Sequence, residues 1–287
     1  MNAVTLQAGA ARAVIALRGA QALQWRAGGR DLLWQPVPVF WEDVSPLLFP
    51  VVGWTRHGQA RVAGRIYPLA LHGFARLLDF ELRAQGADFV RLGLADSALT
   101  RALYPFSFDF AAEFVLTANA LEMALQVSNS GAGPMPYACG FHPGFRWPFA
   151  GGVQEDYRIV FDAAENSQVP VIAPGGLIGR GVTRVPLHGR ELALVPALFA
   201  GDALCFLNTR GSGLRFAGPD AAIRMTTQNL PHTALWMRPG GQYLCLEPWS
   251  GHSDPEGFAG DLFEKPSMTV LAPEQSAQHT ARFELEA

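Results

Sequence analysis

Lysine is almost missing from this chain. Lys265 is the only one in 287 residues, so arginine carries nearly all of the positive charge, 22 basic residues against 25 acidic ones. The net charge of −3 offers no basic field, and neither nucleic acid nor an anionic membrane is expected as a partner. Cysteine is also scarce. Cys139, Cys205 and Cys245 are odd in number and far apart, with no C-x-x-C. That excludes a disulfide framework and predicts reduced, buried thiols in a cytoplasmic protein. No apolar run approaches the ~18 residues that would span a bilayer. The start, MNAVTLQAGAARAVIALRG, lacks the basic head, apolar core and cleavage site of a signal peptide. Cofactor signatures are missing too: no H-x-H, no H-E-x-x-H, no Cys/His zinc spacing, no G-x-S-x-G elbow, no Walker loop and no dinucleotide fingerprint. No metal and no cofactor is expected.

What is present is alternation. Hydrophobic residues make up 49% of the chain, ample for a large core, and they recur with period two. YPFSFDF places Tyr104, Phe106, Phe108 and Phe110 on one face. LEMALQV does the same with Leu121, Met123, Leu125 and Val127, and TANA between them has hairpin-turn chemistry. ALWMRPGGQYLCLE predicts a second hairpin bending at Pro239–Gly241, and RVAGRIY and PLHGRELAL predict two more. In the Ala-rich N-terminus, Gly9 and Gly19 interrupt any helix, and Val14, Ala16, Leu23 and Trp25 suit a hairpin. Thirty glycines and 21 prolines punctuate the chain at about strand length. No apolar helix of three turns emerges, and there is no linker, repeat or charge block. The reading is all-β: one large antiparallel domain over 1–287.

Three stretches set polar groups in apolar surroundings. In ACGFHPGFRWP, Pro143 holds His142 extended, Gly140 and Gly144 permit close approach, and Phe141, Phe145 and Trp147 offer flat surfaces on which a sugar ring stacks. In YLCLEPWSGHSD, Tyr243, Cys245 and Glu247 share one strand face, Leu244 and Leu246 the other. A carboxylate ending so apolar a strand is buried enough to shift toward general-base range. In LHGFARLLDFEL, His72 and Arg76 precede a predicted strand whose Leu78, Phe80 and Leu82 alternate with Asp79 and Glu81. For Arg76 the plainer reading is a strand-edge ion pair with Asp79 or Glu81. His188, His232 and His279 read as turn, loop or tail residues.

SPLLFPVVG at 45–53, YPLALHGFAR at 67–76, FHPGF at 141–145, DALCF at 202–206, LCLEPWSG at 244–251 and EKPSMTVLAPEQS near the C-terminus follow one another in an order that resembles the aldose 1-epimerase (galactose mutarotase) family, its bacterial LacX-like branch most closely. The resemblance implies a β-supersandwich of large twisted antiparallel sheets with a sugar cleft. It implies an isomerase that interconverts α and β anomers of an aldohexose by acid–base ring opening, with a small-molecule sugar as its partner and a monomer or homodimer as its state. It also implies that Glu247 is the base, His142 the acid, His72 a hydrogen-bond donor to the sugar and Asp202 a hydroxyl-binding residue.

One departure bears on the substrate. The LacX-like branch commonly carries an arginine directly after PVVG, and Trp54 stands there. Arg56, two residues on, substitutes if the strand continues; otherwise the sugar stacks on Trp54. Two further readings follow. A hexose-6-phosphate 1-epimerase needs arginines converging on phosphate, with Arg56, Arg76 and Arg146 as candidates. A sugar-binding or sensing protein on the same fold needs no acid–base pair.

Overall fold

The structure, a computed structural model, describes residues 2–287. Its largest sheet has nine strands, every neighbouring pair antiparallel. The order is Glu191–Ala193, Arg158–Phe161, Gly213–Ala217, Ala222–Gln228, Ser276–Glu286, Ala120–Asn129, Phe108–Leu116, Phe89–Ala95 and Glu81–Gln85. The period-two pattern is the reason. Phe110, Phe114, Met123, Leu125 and Val127 are sealed on the inner face, while Glu113, Ala124 and Gln126 between them stay half-buried.

A second sheet crosses the core from the first. It runs Leu204–Phe206, His232–Trp236, Tyr243–Trp249, Gly140–Phe141 and Leu47–Leu48, with Gly144–Arg146 also pairing to Tyr243–Trp249. Phe49 stacks on Phe110 with ring centroids 4.4 Å apart, and Phe145 packs against Phe283 at 5.1 Å. These aromatic contacts join the two sheets and bury large apolar areas. Four N-terminal strands, Ala3–Ala8, Ala11–Ala16, Ala22–Ala27 and Arg30–Asp31, form a separate small sheet. The single α-helix among the described residues, Ala98–Leu103, is six residues long and is capped by Ser97. No helix among them is long and apolar enough to cross a membrane.

The hairpins read from TANA, from PGG and from RVAGRIY are all present, as is an N-terminal hairpin pairing Ala11–Ala16 with Ala22–Ala27. Others are corrected. In PLHGRELAL only a tight His188–Glu191 bridge forms; the strand Glu191–Ala193 pairs instead with Arg158–Phe161. The strand expected from Leu78 begins at Glu81, after a 3₁₀ turn at Ala75–Leu77. It is the sheet edge, so Leu82 faces solvent while Phe80 is buried. His232 and His279 are strand residues, both buried; His279 Nε2 meets the Tyr137 hydroxyl at 2.7 Å.

Candidate active site

The strand Tyr243–Trp249 lies in the middle of the second sheet and is buried along its whole length. Alternation turns Glu247 and Trp249 toward an open cavity of about 540 Å³, which Trp236 and Cys205 from the neighbouring strands also line. His142 arrives from the adjoining Gly140–Arg146 segment, where a side chain at Gly144 would collide with Trp41 at 2.7 Å. Its Nε2 lies 3.1 Å from Glu247 Oε2. The His72 ring stands edge-on to His142, centroids 5.4 Å apart. His72 Nδ1 accepts the N–H of Gly53 at 3.1 Å, so its proton sits on Nε2. The fold thus brings His72, His142 and Glu247 to one cavity.

Burial sets the electrostatics. It pushes the Glu247 carboxyl well above its ordinary range, with Asp202 adding in the same direction. Burial also holds His142 down to about 3 and His72 well below the usual imidazole range. The His142–Glu247 pair therefore carries one proton at neutral pH. The donor atoms of His142, Cys245 and Glu247 lie within 4.8 Å of one another, a trio that chain spacing does not reveal. Any metal held there would occupy the same contact that the proton does.

Other site candidates separate. Trp54 and Asp202 line the cavity and are exposed. Arg76 lines it too, but its partner is Asp43 at 3.1 Å, not Asp79 or Glu81; Asp79 pairs with Arg18 at 3.9 Å. Arg56 does not line it. The chain leaves Trp54 in a 3₁₀ turn, Arg56–Gly58, and the Arg56 guanidinium donates to the Phe258 carbonyl. Arg146 points outward and donates to the Leu33 carbonyl. The three arginines expected around a phosphate therefore do not converge. Phe141, Phe145 and Trp147 are sealed in the core and give the cleft no surface. Its aromatic walls are Trp41, 5.1 Å from the His142 ring, Trp236 at 5.6 Å, Trp54, Trp249 and Phe40. Trp236 was legible from its alternation with Leu235. Trp41 and Asp43, in the irregular FWED segment, carried no signal.

Two packed antiparallel sheets with a histidine–carboxylate cleft on the central strand of one define the galactose mutarotase-like class of β-supersandwich proteins. Solved structures agree. A galactose mutarotase related enzyme from Lactobacillus acidophilus is 27% identical, with a TM-score of 0.93 over 100% of this chain and 98% of that one. A galactose mutarotase-like protein from Lactobacillus casei is 26% identical, with a TM-score of 0.93 over 99% of this chain and 100% of that one. The chain belongs to the aldose 1-epimerase family, whose profile matches residues 2–284. It is also 28% identical over 257 residues to the LacX proteins of Lactococcus lactis subsp. lactis, covering 85% of this chain and 86% of theirs.

Proposed function

We propose that the protein is an aldose 1-epimerase acting on an unphosphorylated aldohexose or related sugar. The observation that carries this is the 3.1 Å contact between His142 Nε2 and Glu247 Oε2 on the floor of an open cleft. A mutarotase needs a base and an acid that exchange one proton with the sugar, and this pair holds one. The proton that rests on Glu247 first crosses the 3.1 Å contact to His142, and the Glu247 carboxylate then takes the hydrogen of the C1 hydroxyl. The C1–O5 bond breaks, C1 becomes a carbonyl, and His142 protonates O5. The pair is then neutral, the state that burial favours. Rotation about C1–C2 presents the other carbonyl face, and the reverse transfers close the ring as the other anomer. His72 donates from Nε2 to the ring oxygen region, Asp202 accepts from sugar hydroxyls, and Trp54 stacks on the ring. Arg76 lines the same cleft, held by Asp43. Each positioned proton carrier contributes ~10²–10⁴ in rate.

Arg76 and Arg238 line the cleft, but Arg76 is already paired with Asp43, which favours a neutral sugar over a hexose 6-phosphate, and the paired His142 and Glu247 favour turnover over sensing. The buried, reduced thiols support a cytoplasmic site of action, with the whole chain 1–287 working as one domain, as a monomer or homodimer. Polarimetry on freshly dissolved α-anomers of glucose, galactose and glucose 6-phosphate tests the proposal. Acceleration is expected for a free hexose and is expected to fall ~10²-fold or more in His142→Ala and Glu247→Gln. Sugar binding without acceleration on any of them would sink it.

A further inference from the structure

The chain's only lysine is not on the surface. Lys265 is buried, with its side chain 0% exposed, and its Nζ lies 3.1 Å from Oδ1 of Asp254, a carboxylate 5% exposed. Asp254 spends its remaining atoms on the wall of the cleft. Its Oδ2 accepts the N–H of Arg56 at 2.8 Å. Its own N–H donates to the Trp54 carbonyl at 2.8 Å, and its carbonyl accepts the N–H of Ile178 at 2.9 Å. The preceding Ser253 hydroxyl accepts the N–H of Trp54 at 2.9 Å. Trp54 is thus gripped on both sides of its peptide, and Ile178, on the far strand of the hairpin that covers it, is tied to the same aspartate. A side chain at Gly176 in that hairpin would lie 2.0 Å from Trp54 Cδ1, so the indole is seated closely. The carboxylate itself takes the Arg56 N–H, and the backbone of the same residue and the Ser253 hydroxyl hold Trp54 and Ile178; fixing Asp254 in place therefore fixes this wall, and its buried carboxylate needs a counter-charge.

We propose that Asp254, with Lys265 as its counter-charge, is a positioning pair that holds Trp54 against the sugar and so sets affinity without touching the substrate. The inference rests on the mutarotase reading for the sugar and for its kinetic readout, and not for the grip on Trp54. Lys265→Met leaves Asp254 buried without a counter-charge and loosens the grip. The expected result is a ~10-fold rise in KM with kcat within ~2-fold, since ground-state and transition-state contacts to Trp54 are lost alike. Trp54, the one exposed tryptophan among the described residues, reports the wall directly. Its acrylamide quenching, taken as the difference between each variant and the same variant carrying Trp54→Phe, is expected to rise.

Adding Asp254→Asn to Lys265→Met removes the stranded charge and keeps an oxygen for the Arg56 N–H. This double variant is expected to return KM to within ~2-fold of the parent. Where Lys265→Met does not fold, Lys265→Met with Asp254→Ala, which strands no charge and offers no acceptor, is expected to show the raised KM. A fall in melting temperature with KM and Trp54 quenching unchanged overturns the proposal and leaves the pair a stability element. If the parent turns over no sugar, the mutarotase reading fails, and the quenching comparison still decides whether the pair holds Trp54.

Discussion

Glu247 is held in a state that suits catalysis and opposes folding. Its carboxyl is 2% exposed and its pKa stands well above the ordinary value of 4.5 because burial disfavours the anion. Above pH 4.5 the unfolded chain releases this proton while the folded one keeps it. Stability is therefore lost as pH rises toward the folded pKa. Glu247→Gln removes the ionisation and keeps the shape. At pH 8 it is expected to raise the melting temperature by roughly 2–4 °C for each ~1 kcal/mol of burial penalty relieved, while turnover is lost. The gain is expected to vanish near pH 4, where both proteins are uncharged at this position. Scanning calorimetry at pH 4, 6 and 8 checks this, and a variant less stable than the parent at pH 8 contradicts it. Glu247 was legible in the sequence because strand alternation puts it on the face opposite Leu244 and Leu246. Its contact with His142 was not, since 105 positions of chain separate them and it is the pairing of Gly140 with Trp249 and of Gly144 with Cys245 that closes that distance.

At the level of elements, the cleft depends on turns as much as on strands. His72 and Gly73 both have left-handed backbone, φ 62° and 72°, and a Cβ on Gly73 would stand 2.2 Å from the Phe49 carbonyl oxygen. That close approach lets Phe49 donate its N–H to the His72 carbonyl and aims the imidazole at the cleft. Gly73→Ala is expected to destabilise the protein by ~2–5 kcal/mol, combining backbone strain with overpacking, and to cut activity by displacing His72. Urea unfolding with parallel polarimetry reads both effects; unchanged stability would remove the turn from the account. Such turns explain which elements were readable. Hairpins with local partners, as at TANA and PGG, announce themselves through alternation plus a bend. The strand Glu191–Ala193 did not, because its partner Arg158–Phe161 lies 30 residues away and a neighbouring glycine imitates a hairpin. Arg56 was misplaced for a related reason: the 3₁₀ turn after Trp54 breaks the period-two count, and a count broken by one residue reverses the face.

Across the whole molecule, the histidines carry a common signature. His72, His142, His232, His252 and His279 all titrate below the usual imidazole range, chiefly because burial disfavours the cation; His142 reaches about 3 and His232 about 4. Composition gives their number but not their burial, which comes from sheet packing across distant strands. Above pH 6.5 both folded and unfolded chains hold these rings neutral, and they have no effect on stability. Below it the unfolded chain takes up protons that the folded chain refuses, so stability falls until pH reaches the folded values. Each proton taken up on unfolding steepens the fall by about 1.4 kcal/mol per pH unit. Glu247 and Asp43, whose carboxyls are raised by burial, act in the opposite sense, but two carboxyls do not offset five imidazoles. Urea titrations are expected to show stability falling from pH 6.5 to 4, with the histidines adding no slope between pH 7 and 8, where only the loss that Glu247 imposes with rising pH is left. His232→Asn, whose side-chain oxygen can still accept the Asn208 N–H that His232 Nδ1 now takes at 3.0 Å, is expected to reduce the slope by nearly one proton near pH 5. Stability that stayed flat through pH 5 would mean that the buried rings accept protons in place, with water or carboxylates reaching them through an opened cleft.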